Sequence, residues 1–156
     1  MKKIRLIIPF LFGLIGVFSF APFSIKLLIF ISYAYLIKTI LYEDKDSFWK
    51  VFVWGLGHWG FGMSWLIVSV YYYGETTILL SSVIYFLLII ILTLVFTCPL
   101  LILKPLLKFV KINNNLTKSF FISSILMVSE FSRYYLLNGV PWLIPGNIFL
   151  DTYTQN

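Results

Sequence analysis

Apolar residues in this chain form long unbroken runs, separated by short polar clusters. The runs fall at residues 4–20, 25–42, 48–71, 77–103 and 119–137. Most reach or exceed the roughly 17–25 residues a helix needs to cross a bilayer. A segment inside lipid must satisfy every backbone N–H and C=O internally, so runs of this length are expected as helices. The pattern predicts an all-α fold: one polytopic transmembrane bundle of about five helices over residues 1–156.

The punctuation fits that reading. The first run follows Lys2, Lys3 and Arg5 and ends in Ser19-Phe20-Ala21-Pro22-Phe23. A secretory signal would end in a small-residue cleavage site. This run has none and is expected to stay as an uncleaved helix at the short limit for spanning. Pro22 marks the turn, because proline resists a helix interior and biases its predecessor away from helical geometry. Lys26 and Lys38 lie near the ends of the second run, where their long stems can reach the headgroups. Glu43-Asp44-Lys45-Asp46 reads as a solvated loop. Tyr71, Tyr72 and Tyr73 suit an interfacial belt, with Gly74 as the helix stop. The fourth run is apolar all round and tells least. After the fifth come residues 138–142 and a short apolar tail.

Composition agrees with the pattern. Hydrophobic residues make up 60% of the 156 and charged residues 12%, where a soluble domain carries about 25% charged. Mean hydropathy is +0.95. The net charge of +6 could suggest nucleic acid, but the basic residues sit at segment ends, as orientation in a membrane requires. Counting helices from a cytoplasmic amino terminus puts ten of the twelve basic residues inside, all but Lys26 and Arg133. The amino terminus is therefore expected in the cytoplasm. With five crossings the carboxyl end emerges outside. That places the Asn115-Leu116-Thr117 sequon on the inner face, where glycosylation does not occur. The lone Cys98 excludes an internal disulfide and reads as a packing residue.

Candidate chemistry concentrates in two places. Residues 52–74 carry Gly55, Gly57, Gly60 and Gly62, with Trp54, Trp59, Trp65 and His58 among and after them. Gly55 to Gly60 matches G-x-G-x-x-G literally, but the dinucleotide fingerprint needs a preceding strand and a βαβ unit. In a membrane-length run, small residues instead let another helix or an acyl chain approach the backbone closely. Gly60 and Ser64 form such a small-xxx-small pair. His58, the only histidine, reads as a packing or interface residue before a proton carrier or metal ligand. Glu130 and Arg133, at i and i+3, share a helical face and can pair. They read either as a structural clamp or headgroup contact inside the span, or as an ion pair near the outer interface. No nucleophile–base spacing, phosphate loop or metal cluster appears, so no catalytic, cofactor or metal residue is assigned.

Three stretches together are similar to one family. Ser19 to Phe23 resembles the FAPF/FSPY turn between the first two helices of apolipoprotein N-acyltransferases. Gly55 to Gly74 resembles that family's glycine-rich third helix, with Trp65 and Ser69 on its W-x-x-x-S positions. Glu130-Phe131-Ser132-Arg133 followed by Gly139-Val140-Pro141-Trp142 resembles its E-[FW]-L-R…G-F-P-W segment. The order and spacing agree over nearly the whole chain. Ser132, Val140 and the Pro145-Gly146-Asn147-Ile148 run depart from the pattern.

The resemblance implies a multi-pass protein of the bacterial cytoplasmic membrane. The family moves an acyl chain from a phospholipid to the α-amine of a diacylglyceryl-cysteine lipoprotein. It works through a thioester on a cysteine, helped by a glutamate and a lysine of an outer nitrilase-like domain. Cys98 does not match that nucleophile. The expectation is a truncated or split member, inactive alone, which supplies the membrane and lipid-entry part. Its partners would be membrane phospholipid, and a lipoprotein substrate or a separate nitrilase-like chain. Gly55, Gly57, Gly60, Gly62, Trp65 and Ser69 would contact lipid or helix, and Glu130, Arg133 and Trp142 would form a structural or headgroup site. The alternative is a free-standing membrane module that binds lipid or a partner helix through the glycine face. A small transporter subunit finds less support, since no internal repeat or paired broken helix is visible.

Overall fold

The structure, a computed structural model, describes residues 4–42, 46–110, 114–136 and 142–150. The described residues are helical, with no strand among them. In order they form α1 (Ile4–Val17), α2 (Leu27–Tyr42), α3 (Ser47–Gly62), α4 (Trp65–Tyr73), α5 (Ile78–Phe109) and α6 (Asn115–Leu136). A 3₁₀ turn, Pro145–Phe149, follows. The loop at residues 43–45, the basic residues 1–3 and the turn at residues 138–141 lie outside the described residues.

Helix α3 is the centre, flanked by α1, α2 and α5, while α6 packs on α5. The core is a continuous apolar cluster that includes Leu36 and Ile40 of α2, Trp54 and Trp59 of α3, and Leu92, Phe96, Leu100 and Leu103 of α5. On α2 the buried positions Ile29, Ser32, Leu36 and Ile40 recur every three or four residues, the spacing of one helical face. On α5, Tyr85, Ile89, Leu92, Phe96, Leu100 and Leu103 do the same. The outer face of α5, with Ile84, Leu87, Ile91 and Leu94 exposed, is equally apolar, and the helix is long enough to cross a bilayer.

Beyond the earlier start of α6, the helices differ from the five expected runs in three ways. First, the third run is two helices, α3 and α4, bent by 54° at a short break. There the Ser64 amide turns to the Phe61 carbonyl at 3.2 Å, a tighter i→i−3 bond that ends the α-helical ladder. Second, α1 stops at Val17, because Phe18, Ser19 and Phe20 also bond back three residues. The chain then turns through a cis Ala21–Pro22 peptide. Third, α5 does not stop near residue 103 but runs through Pro99 and Pro105 to Phe109. Each proline removes one backbone bond, but ending the helix in an apolar medium would orphan several. Side-chain caps mark the starts of α5 and α6. Thr77 Oγ1 accepts from the Leu80 amide at 3.3 Å. Asn114 Oδ1 accepts from the Leu116 amide at 2.9 Å, which starts α6 earlier than its apolar run.

Among the described residues one helix is long and apolar enough to cross a membrane, α5 over Ile78–Leu107, and the α3–α4 pair is a second if it acts as one bent span. At about 1.5 Å per residue, α1 and α2 measure roughly 21 and 24 Å, short of the ~30 Å hydrocarbon core.

Candidate functional site

Four of the α3 glycines point in different directions and do different work. A Cβ on Gly57 would stand 2.3 Å from the Phe10 carbonyl oxygen of α1. On Gly55 it would meet Thr93 Cγ2 of α5 at 2.6 Å, and on Gly62 it would meet Leu143 Cδ1 at 2.4 Å. These three positions are filled by the chain itself. Gly60 is the exception: its nearest neighbour would be the Tyr85 hydroxyl at 3.8 Å. Gly60 opens onto a groove of about 540 Å³ between α1, α3 and α5, lined by Phe10, Leu14, Phe61, Tyr85, Phe86 and Ile90 among others. The volume lies within the roughly 300–1,000 Å³ of small-ligand sites, and the lining is almost wholly apolar.

The groove's one hydroxyl is already engaged. At the end of α3 the Ser64 amide bonds to Phe61 rather than to Gly60, which leaves the Gly60 carbonyl without its helical donor. The Tyr85 hydroxyl donates to it. The groove therefore offers hydrocarbon contact, with the Tyr85 hydroxyl proton already committed to the Gly60 carbonyl.

Beneath the groove, α1 and α3 approach so closely that a Cβ on Gly13 would sit 2.0 Å from the Trp54 carbonyl oxygen. Ser32 of α2 ties the same region together. It donates to the Phe12 carbonyl at 2.7 Å and accepts from Trp54 Nε1 at 3.1 Å. His58 is fully buried and stacks on Trp54 with ring centroids 5.0 Å apart. Its Nδ1 lies 3.2 Å from the Gly13 carbonyl oxygen; a carbonyl can only accept, so Nδ1 carries the proton. Nε2 is buried with no hydrogen-bond partner among the described residues. Among the described residues no three His, Cys, Asp or Glu side chains gather to hold a metal ion. Cys98, expected to pack, sits exposed on α5.

A second cluster joins four parts of the chain around Arg133 of α6, which is fully buried. Its Nη2 pairs with Glu130 Oε2, and its Nη1 donates to the Trp142 carbonyl at 3.2 Å. The guanidinium carbon lies 4.9 Å above the Trp59 ring centroid, within cation–π range. Glu130 Oε1 accepts from the Tyr33 hydroxyl of α2 at 2.9 Å. A charge removed from solvent is tolerable when paired and hydrogen-bonded, and each partner here supplies part of that.

Trp65 and Trp142, distant in sequence, meet edge to face with centroids 5.1 Å apart and planes at 89°. Both are nearly half exposed. Ser69 lies one turn beyond Trp65 on α4 and is half-buried. The structure thus gathers Arg133, Glu130, Trp142 and Trp65 into one neighbourhood and splits the four glycines between packing and groove. Sequence reading missed Gly13, Ser32, Tyr33 and Tyr85. Gly13 and Gly16 carried a signal, as small residues in a short apolar helix; a serine or tyrosine in an apolar run shows no partner until the fold supplies one.

Comparison with known proteins identifies the family. The profile described as "Apolipoprotein N-acyltransferase N-terminal domain" matches residues 12–155. The chain is 29% identical over 147 residues to the apolipoprotein N-acyltransferase of Haemophilus ducreyi, covering 94% of this chain and 28% of the relative. It is 30% identical over 149 residues to that of Pasteurella multocida, covering 90% of this chain and 26% of the relative. The corresponding protein of Haemophilus influenzae is 29% identical over 153 residues, 97% of this chain and 28% of that one. The chain thus spans little more than a quarter of the length of these curated relatives. With a match over nearly its whole length, the chain belongs to the apolipoprotein N-acyltransferase family, through that family's N-terminal domain.

Proposed function

We propose that this chain provides the lipid-holding helices of an apolipoprotein N-acyltransferase, with the Gly60 groove receiving an acyl chain of a membrane phospholipid. The observation that carries this is the groove itself. It is apolar, flanks the long helix α5, and borders α3 at Gly60, where no side chain projects into it. The other three α3 glycines would meet atoms of α1, of α5 and of Leu143 in the chain's own fold, which leaves a partner helix less room than the bare sequence suggests.

In this reading the protein crosses the bacterial cytoplasmic membrane five times from a cytoplasmic amino terminus, with α3 and α4 as one bent crossing. The short α1 and α2 span by local thinning of the bilayer and by snorkelling of flanking basic residues. The whole family's reaction passes an acyl group from phospholipid through a cysteine thioester to a lipoprotein amine. A nitrilase-like domain supplies the glutamate, lysine and cysteine, and these helices present the lipid to it.

Photo-cross-linking tests the assignment. The full chain, in nanodiscs containing phosphatidylethanolamine with a diazirine-bearing acyl chain, is expected to label at Phe10, Phe61 and Phe86. Gly60→Leu should cut that labelling several-fold. Labelling spread evenly over the outer face of α5, or unchanged by Gly60→Leu in a folded protein, would overturn the proposal.

A further inference from the structure

Arg133, Trp142 and Leu143 stand in a relation to the α3–α4 bend that the lipid groove does not account for. The bend lies between Gly62, the last residue of α3, and Trp65, the first of α4. Two consecutive residues from the far end of the chain straddle it. The Trp142 ring rests on Trp65, on the α4 side, and the Leu143 side chain fills the space left by Gly62, on the α3 side. Leu143 does so with φ at 60°, a left-handed conformation that is strained for a residue with a Cβ. A residue holds such a conformation only when its surroundings over-determine it.

The surroundings that do so converge on one side chain. Arg133 is fully buried, so its guanidinium is spent on the protein and not on solvent or a headgroup. Nη1 donates to the Trp142 carbonyl and Nη2 pairs with Glu130, while Nε has no hydrogen-bond partner among the described residues. The plane lies over Trp59, one turn before the bend. Glu130 is itself held by Tyr33 of α2. The guanidinium thus connects the α3 side of the bend to the segment that crosses it.

We propose that Arg133 is a positioning residue that fixes the Trp142–Leu143 segment as a strap across the α3–α4 bend, and so sets the Trp65–Trp142 pair. A planar fork with several donors can face a carboxylate and a carbonyl at once; a lysine ammonium is a compact point charge on a flexible stem. The strap depends on that second contact, and it stands whether or not the groove holds lipid.

The indole–indole exciton couplet in circular dichroism reads the pair directly. Trp54 and Trp59 also meet edge to face, so the Trp65–Trp142 part is the change on Trp65→Phe. In the full chain, Arg133→Lys keeps the charge beside Glu130 and is expected to remain helical. In that background Trp65→Phe should no longer change the couplet, because the strap has already left Trp65. A couplet still sensitive to Trp65→Phe in folded Arg133→Lys would overturn the proposal. If Arg133→Lys does not fold, Glu130→Gln with Arg133→Gln removes both charges together, and the same readout decides. Loss of the Trp65 contribution supports the strap, and its persistence sinks it.

Discussion

The Trp54 carbonyl oxygen of α3 stands 2.0 Å from the place where Gly13 of α1 would carry a Cβ. Backbone meets backbone there, with no flexible side chain to give way. Gly57 repeats the arrangement in reverse against Phe10. Gly13→Ala and Gly57→Ala should therefore each force α1 and α3 apart, at the roughly 1–3 kcal/mol typical of overpacking. Both act on one contact, so the double variant should lose less than the sum. Gly60→Ala, facing open groove, should stay within about 0.5 kcal/mol of the parent. Thermal unfolding in detergent ranks the variants, and a Gly60→Ala loss as large as that of Gly13→Ala would contradict this division of the glycines.

Tyr85→Phe removes the donor to the Gly60 carbonyl at the end of α3. Interhelical hydrogen bonds in membrane proteins average about 0.6 kcal/mol and reach about 1.7. This one should lie at the upper end, because the helix break has already taken away the carbonyl's own donor. The expected outcome is a loss of about 1–1.7 kcal/mol, with faster amide exchange at Met63 and Ser64 than in the parent. A variant as stable as the parent, with unchanged exchange, would mean that another donor serves Gly60.

The sequence announced helices well and their packing unevenly. Unbroken apolar runs fixed the helical class because lipid leaves the backbone few alternatives. The same uniformity hid the buried stripe of α5, since Leu92 and Leu94 look alike in sequence and only one faces α3. The α3–α4 break was veiled for a related reason: glycines favour close packing and weak helix alike, and only the Ser64 amide's choice of Phe61 separates the two. Glu130 and Arg133 were legible as a pair from their spacing. Tyr33 and the Trp142 carbonyl were not, since each reaches the pair across the fold.

The pair itself should respond asymmetrically. Arg133→Met leaves the Glu130 carboxylate in an apolar interior with only the Tyr33 hydroxyl. Breaking a buried pair from one side typically costs about 3–5 kcal/mol. Glu130→Gln added to Arg133→Met removes the stranded charge and keeps an acceptor for Tyr33, so the double variant should recover a large part of that loss. A double variant no more stable than Arg133→Met would show that the carboxylate is neutralised by something other than Arg133.

Orientation supplies the last test, and it turns on whether the bent pair α3–α4 crosses the membrane. At about 1.5 Å per residue the two helices measure roughly 24 and 14 Å. Joined at 54°, they reach about 34 Å end to end, enough for the ~30 Å hydrocarbon core. A crossing would put Asp46 and Glu75 on opposite faces, and a re-entrant hairpin would return them to the same one. In the proposed orientation, with Lys38, Lys45 and Lys50 around it, Asp46 lies in the cytoplasm. With Cys98→Ser as background, Glu75→Cys in intact cells should therefore react with a membrane-impermeant maleimide. Asp46→Cys should react only after permeabilisation. Both residues are exposed in the fold, so protection reports the membrane and not burial. Labelling of both from the outside, or of neither, would make α3–α4 re-entrant, and would change the number of crossings and the side on which the carboxyl end emerges.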